Sequence, residues 1–205
     1  MIRRFHSVWL RMCDDRGAQL VEFAVSLPLL VVFVVGIFDF SSAFTLKQKL
    51  TNVARDAARA AAADPATDLA QPSTSLPASV DDSIQLILNY LEANNIDDCG
   101  LTSAVGVSGP GPVWSFTVTP STSAPCGISI KINRGYYFPA TAAVQTAPAD
   151  CRSTSAAAGQ VQVVSTCVSI QYTYQWRFGK AASLLGSALT LPNNIAAVSV
   201  AMNEN

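Results

Sequence analysis

The chain has 205 residues, 50% of them hydrophobic and only 13% charged, with a mean hydropathy of +0.30. Soluble domains run to about 25% charged residues. An ordinary cytosolic enzyme and a charge-rich disordered chain are therefore both disfavoured. A formal net charge of −1 disfavours a nucleic-acid binder, which needs a basic excess.

The apolar excess is concentrated near the N-terminus. Arg3, Arg4, Arg11 and Arg16 precede Leu20–Phe38, in which every residue except Glu22, Ser26, Pro28 and Gly36 is apolar. As a helix this run spans roughly 28 Å, close to the hydrocarbon thickness of a bilayer. Asp39 follows directly, and the next bases are Lys47 and Lys49. The excess of arginine before the run predicts a cytoplasmic N-terminus and an exported C-terminus. Three fates are open to such a segment. It can be a plain N-terminal anchor. It can be a secretory signal, cut at the small residues Ser41-Ser42-Ala43 before Phe44, although its apolar core exceeds the usual length of about 7–15 residues.

The third fate turns on Glu22. A carboxylate at the bilayer centre costs roughly 2.5–3.5 kcal/mol, and less near the interface. The chain reads Arg16-Gly17-Ala18-Gln19-Leu20-Val21-Glu22-Phe23. A cut after Gly17 would leave an α-ammonium on Ala18, with Glu22 four residues on. Residues at that spacing share a helix face, so the new amine could neutralise the carboxylate within one chain or between neighbouring helices.

This R-G-x-x-x-x-E-F pattern, opening a hydrophobic helix, resembles the class III signal of type IV prepilins. Phe23 after Glu22 is similar to the Tad (tight adherence), or Flp, branch, whereas Ala18 departs from the phenylalanine of the commonest pilins. The stretches Gly17-AQLVEFAVSLPLL, Gly36-IFDF and Leu50-TNVARDAARAAA resemble the TadE-like pseudopilin pattern over about residues 14–63. Val198–Glu204 loosely fits the usual ending of that family. The resemblance implies a minor pseudopilin in assembly or initiation of a Tad-type pilus, and not an enzyme. It implies a cut by a prepilin peptidase between Gly17 and Ala18, with Glu22 and Phe23 serving recognition and assembly. The implied partners are that peptidase, pilin and other pseudopilin subunits, the inner-membrane assembly platform and the bilayer. The implied location is the bacterial inner membrane, single-pass, with the C-terminal domain periplasmic or carried into an extracellular pilus. The alternative is an N-terminally anchored periplasmic binding module unrelated to pili. A third reading, a secreted enzyme, goes with the signal-peptide fate.

The helix is expected to continue past the membrane. Ala43–Ala63 contains no Gly or Pro, and Ala54–Ala63 has seven Ala in ten residues, the strongest helix former. Leu46, Leu50, Val53, Ala57 and Ala60 follow helical spacing. Asp64-Pro65 is a natural stop. One helix from Ala18 to Ala63 would be about 69 Å long, with a kink or local melting at Pro28. Its one-sided apolar stripe needs a partner, either its own ectodomain or another helix. Lys47, Lys49, Arg55, Asp56 and Arg59 are either a surface that pairs with neighbouring subunits or a solvated face, which is the commoner case for single charges. The chain thus divides into a leader (1–17), a transmembrane and stalk helix (18–63) and an ectodomain (64–205).

In the ectodomain, residues 64–79 are rich in Pro, Ser, Thr and Ala and read as a linker. Val80, Ile84, Ile87, Leu88 and Leu91 form one apolar helical face, with Ser79 as N-cap, Asp81 and Asp82 in the first turn, and an end near Asn94-Asn95. The period then changes to two. Trp114-Phe116-Val118 and Ile128-Ile130-Ile132 alternate with polar residues. So do Val168, Ile170, Tyr172, Tyr174, Trp176 and Phe178, which predicts a long half-buried strand. Leu101–Val107 and Ile195–Met202 are weaker strands, and residues 135–159 read as a long irregular insertion. Within it Tyr136, Tyr137 and Phe138 are either an exposed patch or, more commonly, core at a strand end. The fold class is α+β: a long N-terminal helix, then a small antiparallel sheet with one short amphipathic helix.

Cys13 lies in the leader, whereas Cys99, Cys126, Cys151 and Cys167 fall in the exported part. An even number on the oxidising side predicts two disulfides. Three connectivities are open, and short loops favour Cys99–Cys126 with Cys151–Cys167. Neither a metal nor another cofactor is expected, since there is no C-x-x-C and the one histidine, His6, lies in the leader. That also disfavours His-based catalysis outside the membrane. The pairs Asp81-Asp82 and Asp97-Asp98 read as capping and turn residues. Beyond residue 63 there are five basic and nine acidic residues, so no nucleic-acid partner is expected.

Overall fold

The computed structural model describes residues 15–65, 67, 76–102, 107–108, 112–138, 150–152, 163–177 and 192–204. Helix α1 spans Asp15–Ala63 and α2 spans Ala78–Ala93. Five strands follow: β1 (Val107–Ser108), β2 (Val113–Val118), β3 (Ile128–Phe138), β4 (Val163–Thr173) and β5 (Asn194–Met202). The chain forms two compact units, Met1–Ser42 with Trp176–Leu191 and Ala43–Gln175 with Pro192–Asn205.

In the first unit α1 is continuous through Pro28. The proline removes the i+4 donor for the Ala24 carbonyl, yet helical structure is not lost there. Ser26 Oγ donates to the Phe23 carbonyl at 3.2 Å and Ser42 Oγ to the Phe38 carbonyl at 2.9 Å. Both hydroxyls are therefore satisfied within the helix, as an apolar surround requires.

The second unit is built on a five-stranded antiparallel meander in the order β1-β2-β3-β4-β5. Its register aligns apolar rows across one face: Phe116 with Ile130, Ile130 with Ile170, and Ile170 with Ala197. A second row joins Trp114, Ile132 and Val168. That face forms one core with Leu50, Val53, Ala54, Ala57 and Ala58 of α1 and Val80, Ile84, Ile87 and Leu91 of α2. Each fully buried Ile, Leu or Phe contributes about 1.5–3 kcal/mol of transfer free energy. The small residues of α1 let the two helices approach closely. At that approach the single Ser83 hydroxyl proton is shared between the Ala57 carbonyl, 3.2 Å from Oγ, and the Ser79 carbonyl, 2.9 Å from it. The Ala-rich stripe is thus covered by the chain's own ectodomain.

Four local expectations are corrected. Pro77, not Ser79, is the N-cap of α2, and Ser79 is buried inside the helix. The Val80 and Asp81 amides bond the Pro77 carbonyl, each at 3.0 Å, and proline's fixed φ presets the entry. Strand β4 ends at Thr173, leaving Tyr174 and Trp176 outside it, while Phe178 lies outside the described residues. Ser165 to Ile170 are buried without alternation. On the second sheet face Cys167 packs with its strand neighbours Tyr136, Val198 and Val200 and with Cys151 from outside the sheet. Residues 135–138 do not begin a loop; they continue β3, with Tyr136 buried. Finally, Leu101 and Thr102 lie in no strand, and Val107–Ser108 is the described paired part of that stretch.

Candidate functional site

The residues singled out near the N-terminus all lie at the head of α1. Gly17, Ala18, Glu22 and Phe23 are helical and exposed. A side chain built on Gly17 would meet nothing within 4 Å. Ala18 and Glu22 are one turn apart on the same face. The apolar run behind them is uncovered: Leu20 is 71% exposed and Ile37 68%. Helix α1 is long and apolar enough to cross a membrane, and none of its most apolar window is buried by the described chain. Exposed apolar surface on this scale marks a membrane or protein contact.

The exposure ends in an aromatic zone. Asp39 is buried, with exposed Phe38 and Phe40 on either side in sequence, and Phe44 farther along α1 is also exposed. The Phe40 and Trp176 rings meet with centroids 5.0 Å apart and planes tilted by 57°.

Farther along, α1 changes role. Lys47 Nζ donates to the Ala196 carbonyl of β5, and Lys49 Nζ reaches the Asn94 carbonyl at 3.5 Å. These two cations serve their own fold, while Arg55, Asp56 and Arg59 face outward. The C-terminal end of α1 is held by a residue the sequence pattern did not single out. At a bulge in β3 between Asn133 and Tyr136, Arg134 turns in and is 1% exposed. Its Nη2 donates to the Asp64 carbonyl at 2.9 Å. A guanidinium suits the partial negative charge at a helix C-terminus. The Glu204 amide reaches the Ala62 carbonyl at 3.4 Å, and Asn203 Nδ2 donates to the Arg134 carbonyl at 3.2 Å. Gly135 permits the bulge, because a Cβ there would lie 2.4 Å from Pro112 Cγ.

The cysteines pair as Cys99–Cys126 and Cys151–Cys167. Asp97, Cys99 and Cys126 offer ligand atoms within 4.8 Å of one another. Both sulfurs are in the disulfide, so the group offers no thiolate to a metal. Burial raises the Tyr172 hydroxyl above its ordinary pKa, with Asp97 and Asp98 adding to the effect. Next to the other disulfide, Asp150 Oδ2 lies 3.0 Å from both Lys131 Nζ and Arg152 Nε. Burial pushes the Asp150 carboxyl up, but the hydrogen bonds and charges of the two cations outweigh it and hold the pKa below its usual value. Cys13 and His6 lie outside the described residues.

Residues 17–59 match the family model of TadE-like protein. The resemblance to that family is confined to α1. The match supports a protein associated with the Tad pilus, and α1 fits a single-pass anchor in such a protein. No curated protein and no solved structure matches the chain. The TadE-like segment covers the uncovered apolar run and most of the stalk, and stops within the part of α1 that packs on the ectodomain.

Proposed function

We propose that the protein is a minor pseudopilin acting in assembly or initiation of a Tad-type pilus. It is made as a prepilin, held in the bacterial inner membrane with its N-terminus in the cytoplasm, and cut by a prepilin peptidase between Gly17 and Ala18. One observation carries this reading: the TadE-like match falls on an uncovered apolar helix headed by Gly17, Ala18, Glu22 and Phe23. An uncovered helix of that kind can pass from lipid to a bundle of similar helices without unfolding its ectodomain. Its role is structural, as a subunit packing with pilin and other pseudopilins at the assembly platform.

The chemistry of the cut favours this position. A peptidase needs an extended strand at the scissile bond, so the first turn of α1 must open. Glycine costs a helix about 1 kcal/mol relative to alanine, which makes Gly17 a point of easy opening. The cut adds an ammonium to the positive end of a helix dipole, which is unfavourable by itself. Glu22, one turn on, supplies the opposite charge in cis or to a neighbouring Ala18.

N-terminal sequencing of the mature protein tests the reading, with filament yield of Glu22→Ala as its second arm. Ala18 at the N-terminus is expected, with normal cutting but reduced filament incorporation of the variant. Met1 would instead favour a plain anchor, and Phe44 a secreted protein. Wild-type incorporation of Glu22→Ala would remove the charge-pairing role.

A further inference from the structure

We propose that Phe40 and Trp176 form an interfacial anchor, through which the segment after β4 makes a second contact with the headgroup and carbonyl layer of the bilayer. This rests on the reading of α1 as a membrane helix. The occupant of the surface is lipid, and the boundary is fixed on both sides by residues of α1. Ile37 still belongs to the apolar run, and Lys47 is the first base beyond it. Between them Phe38, Phe40 and Phe44 stay 71%, 55% and 64% exposed. Phe38 to Phe44 covers about 9 Å of helix axis, on the order of one interfacial layer. Aromatic rings concentrate at that depth, tryptophan above all, because its body is apolar and its indole N–H needs a polar partner.

Trp176 does not belong to α1. It lies beyond the end of β4, and its ring rests on Phe40. A ring held there shares the depth of Phe40. The next residue, Arg177, is exposed, which suits the anionic headgroups of a membrane surface. The chain therefore meets the interface twice: once where α1 leaves the bilayer, and again after β4.

The test uses the full chain carrying Trp9→Phe and Trp114→Phe, which leaves Trp176 as the sole tryptophan. It is reconstituted in phosphatidylcholine–phosphatidylglycerol vesicles, with both disulfides confirmed by mass as a folding control. Because tryptophan concentrates at the interface, acyl chains brominated near the headgroup end are expected to quench Trp176 roughly twofold more than chains brominated near the methyl end. Adding Phe40→Ala should weaken the quenching. Resistance to alkaline extraction reports insertion of α1 separately. An inserted chain whose Trp176 is not quenched by either lipid overturns the proposal and leaves the anchor standing; that result is also expected if the aromatic zone packs on another chain. Stronger quenching from the methyl end overturns it as well. A chain that alkali strips from the vesicles overturns the anchor and the proposal together.

Discussion

Asp150 shows how one residue links charge to stability. Its carboxylate sits between Lys131 and Arg152, and its pKa is depressed in the folded chain. A depressed carboxyl stabilises the fold above its unfolded pKa, and the contribution is lost as pH falls through the folded value. The affected range therefore lies on the acid side, below about pH 4. Arg152 is largely exposed, so the contribution is about 1 kcal/mol or less. Asp150→Asn is expected to lower the urea midpoint at pH 7, with the gap from wild type closing towards pH 2. A gap of equal size at both pH values would show that the loss is one of packing rather than charge. Arg134 belongs to the same scale. A sequence gives no sign that an arginine in a strand will be buried, because arginine is ordinarily exposed. The reason is the bulge, which takes Arg134 out of the β3–β4 ladder and turns its side chain towards the end of α1.

At the scale of elements, the close approach of α1 and α2 rests on small side chains. Ala57 is fully buried, and its carbonyl accepts the Ser83 hydroxyl. A leucine there must displace α2 or adopt a strained rotamer, at about 1–3 kcal/mol. Ala57→Leu should therefore lower the thermal midpoint of the detergent-solubilised chain by about 2–12 °C. Exposed Arg59 on the same helix provides the contrast, with Arg59→Ala expected to stay within about 0.5 kcal/mol of wild type. Comparable losses in the two would disprove the small-residue argument. The elements themselves were legible wherever one face is buried. The 3.6-residue period of Val80 to Leu91 and the two-residue period of Trp114 to Val118 record a core on one side only. Legibility failed where both sides are covered or where a local bond outweighs the pattern. Alternation continues to Phe178 in the sequence, but strand β4 ends at Thr173; the bond from the Tyr174 amide to the Asn193 carbonyl carries the β5 register one residue further. Ser79 looks like a cap, yet Pro77 starts the helix two residues earlier than the apolar pattern shows. The charges of α1 were ambiguous for a further reason: only the folded register reveals that Lys47 and Lys49 have partners within the chain.

At the scale of the whole molecule, the cysteines connect compartment, processing and stability. Cys99–Cys126 closes 27 residues and Cys151–Cys167 closes 16. Loop entropy alone assigns these bonds about 3.5 and about 3 kcal/mol. Burial reverses the expected order. Cys151 and Cys167 are fully buried in the small cluster with Tyr136, whereas Cys99 and Cys126 are half-buried. The double variant Cys151→Ala/Cys167→Ala loses buried sulfur contacts in addition to the crosslink, and so should lose more stability than Cys99→Ala/Cys126→Ala. Denaturant midpoints of the two variants decide this. An equal or smaller loss from Cys151→Ala/Cys167→Ala would mean that loop length governs. The same four residues also report topology. Alkylation without reduction is expected to modify Cys13 alone in the uncut chain and no cysteine once residues 1–17 are removed. Labelling of any of the other four in membrane-extracted protein would place the ectodomain on the reducing side and reverse the proposed orientation.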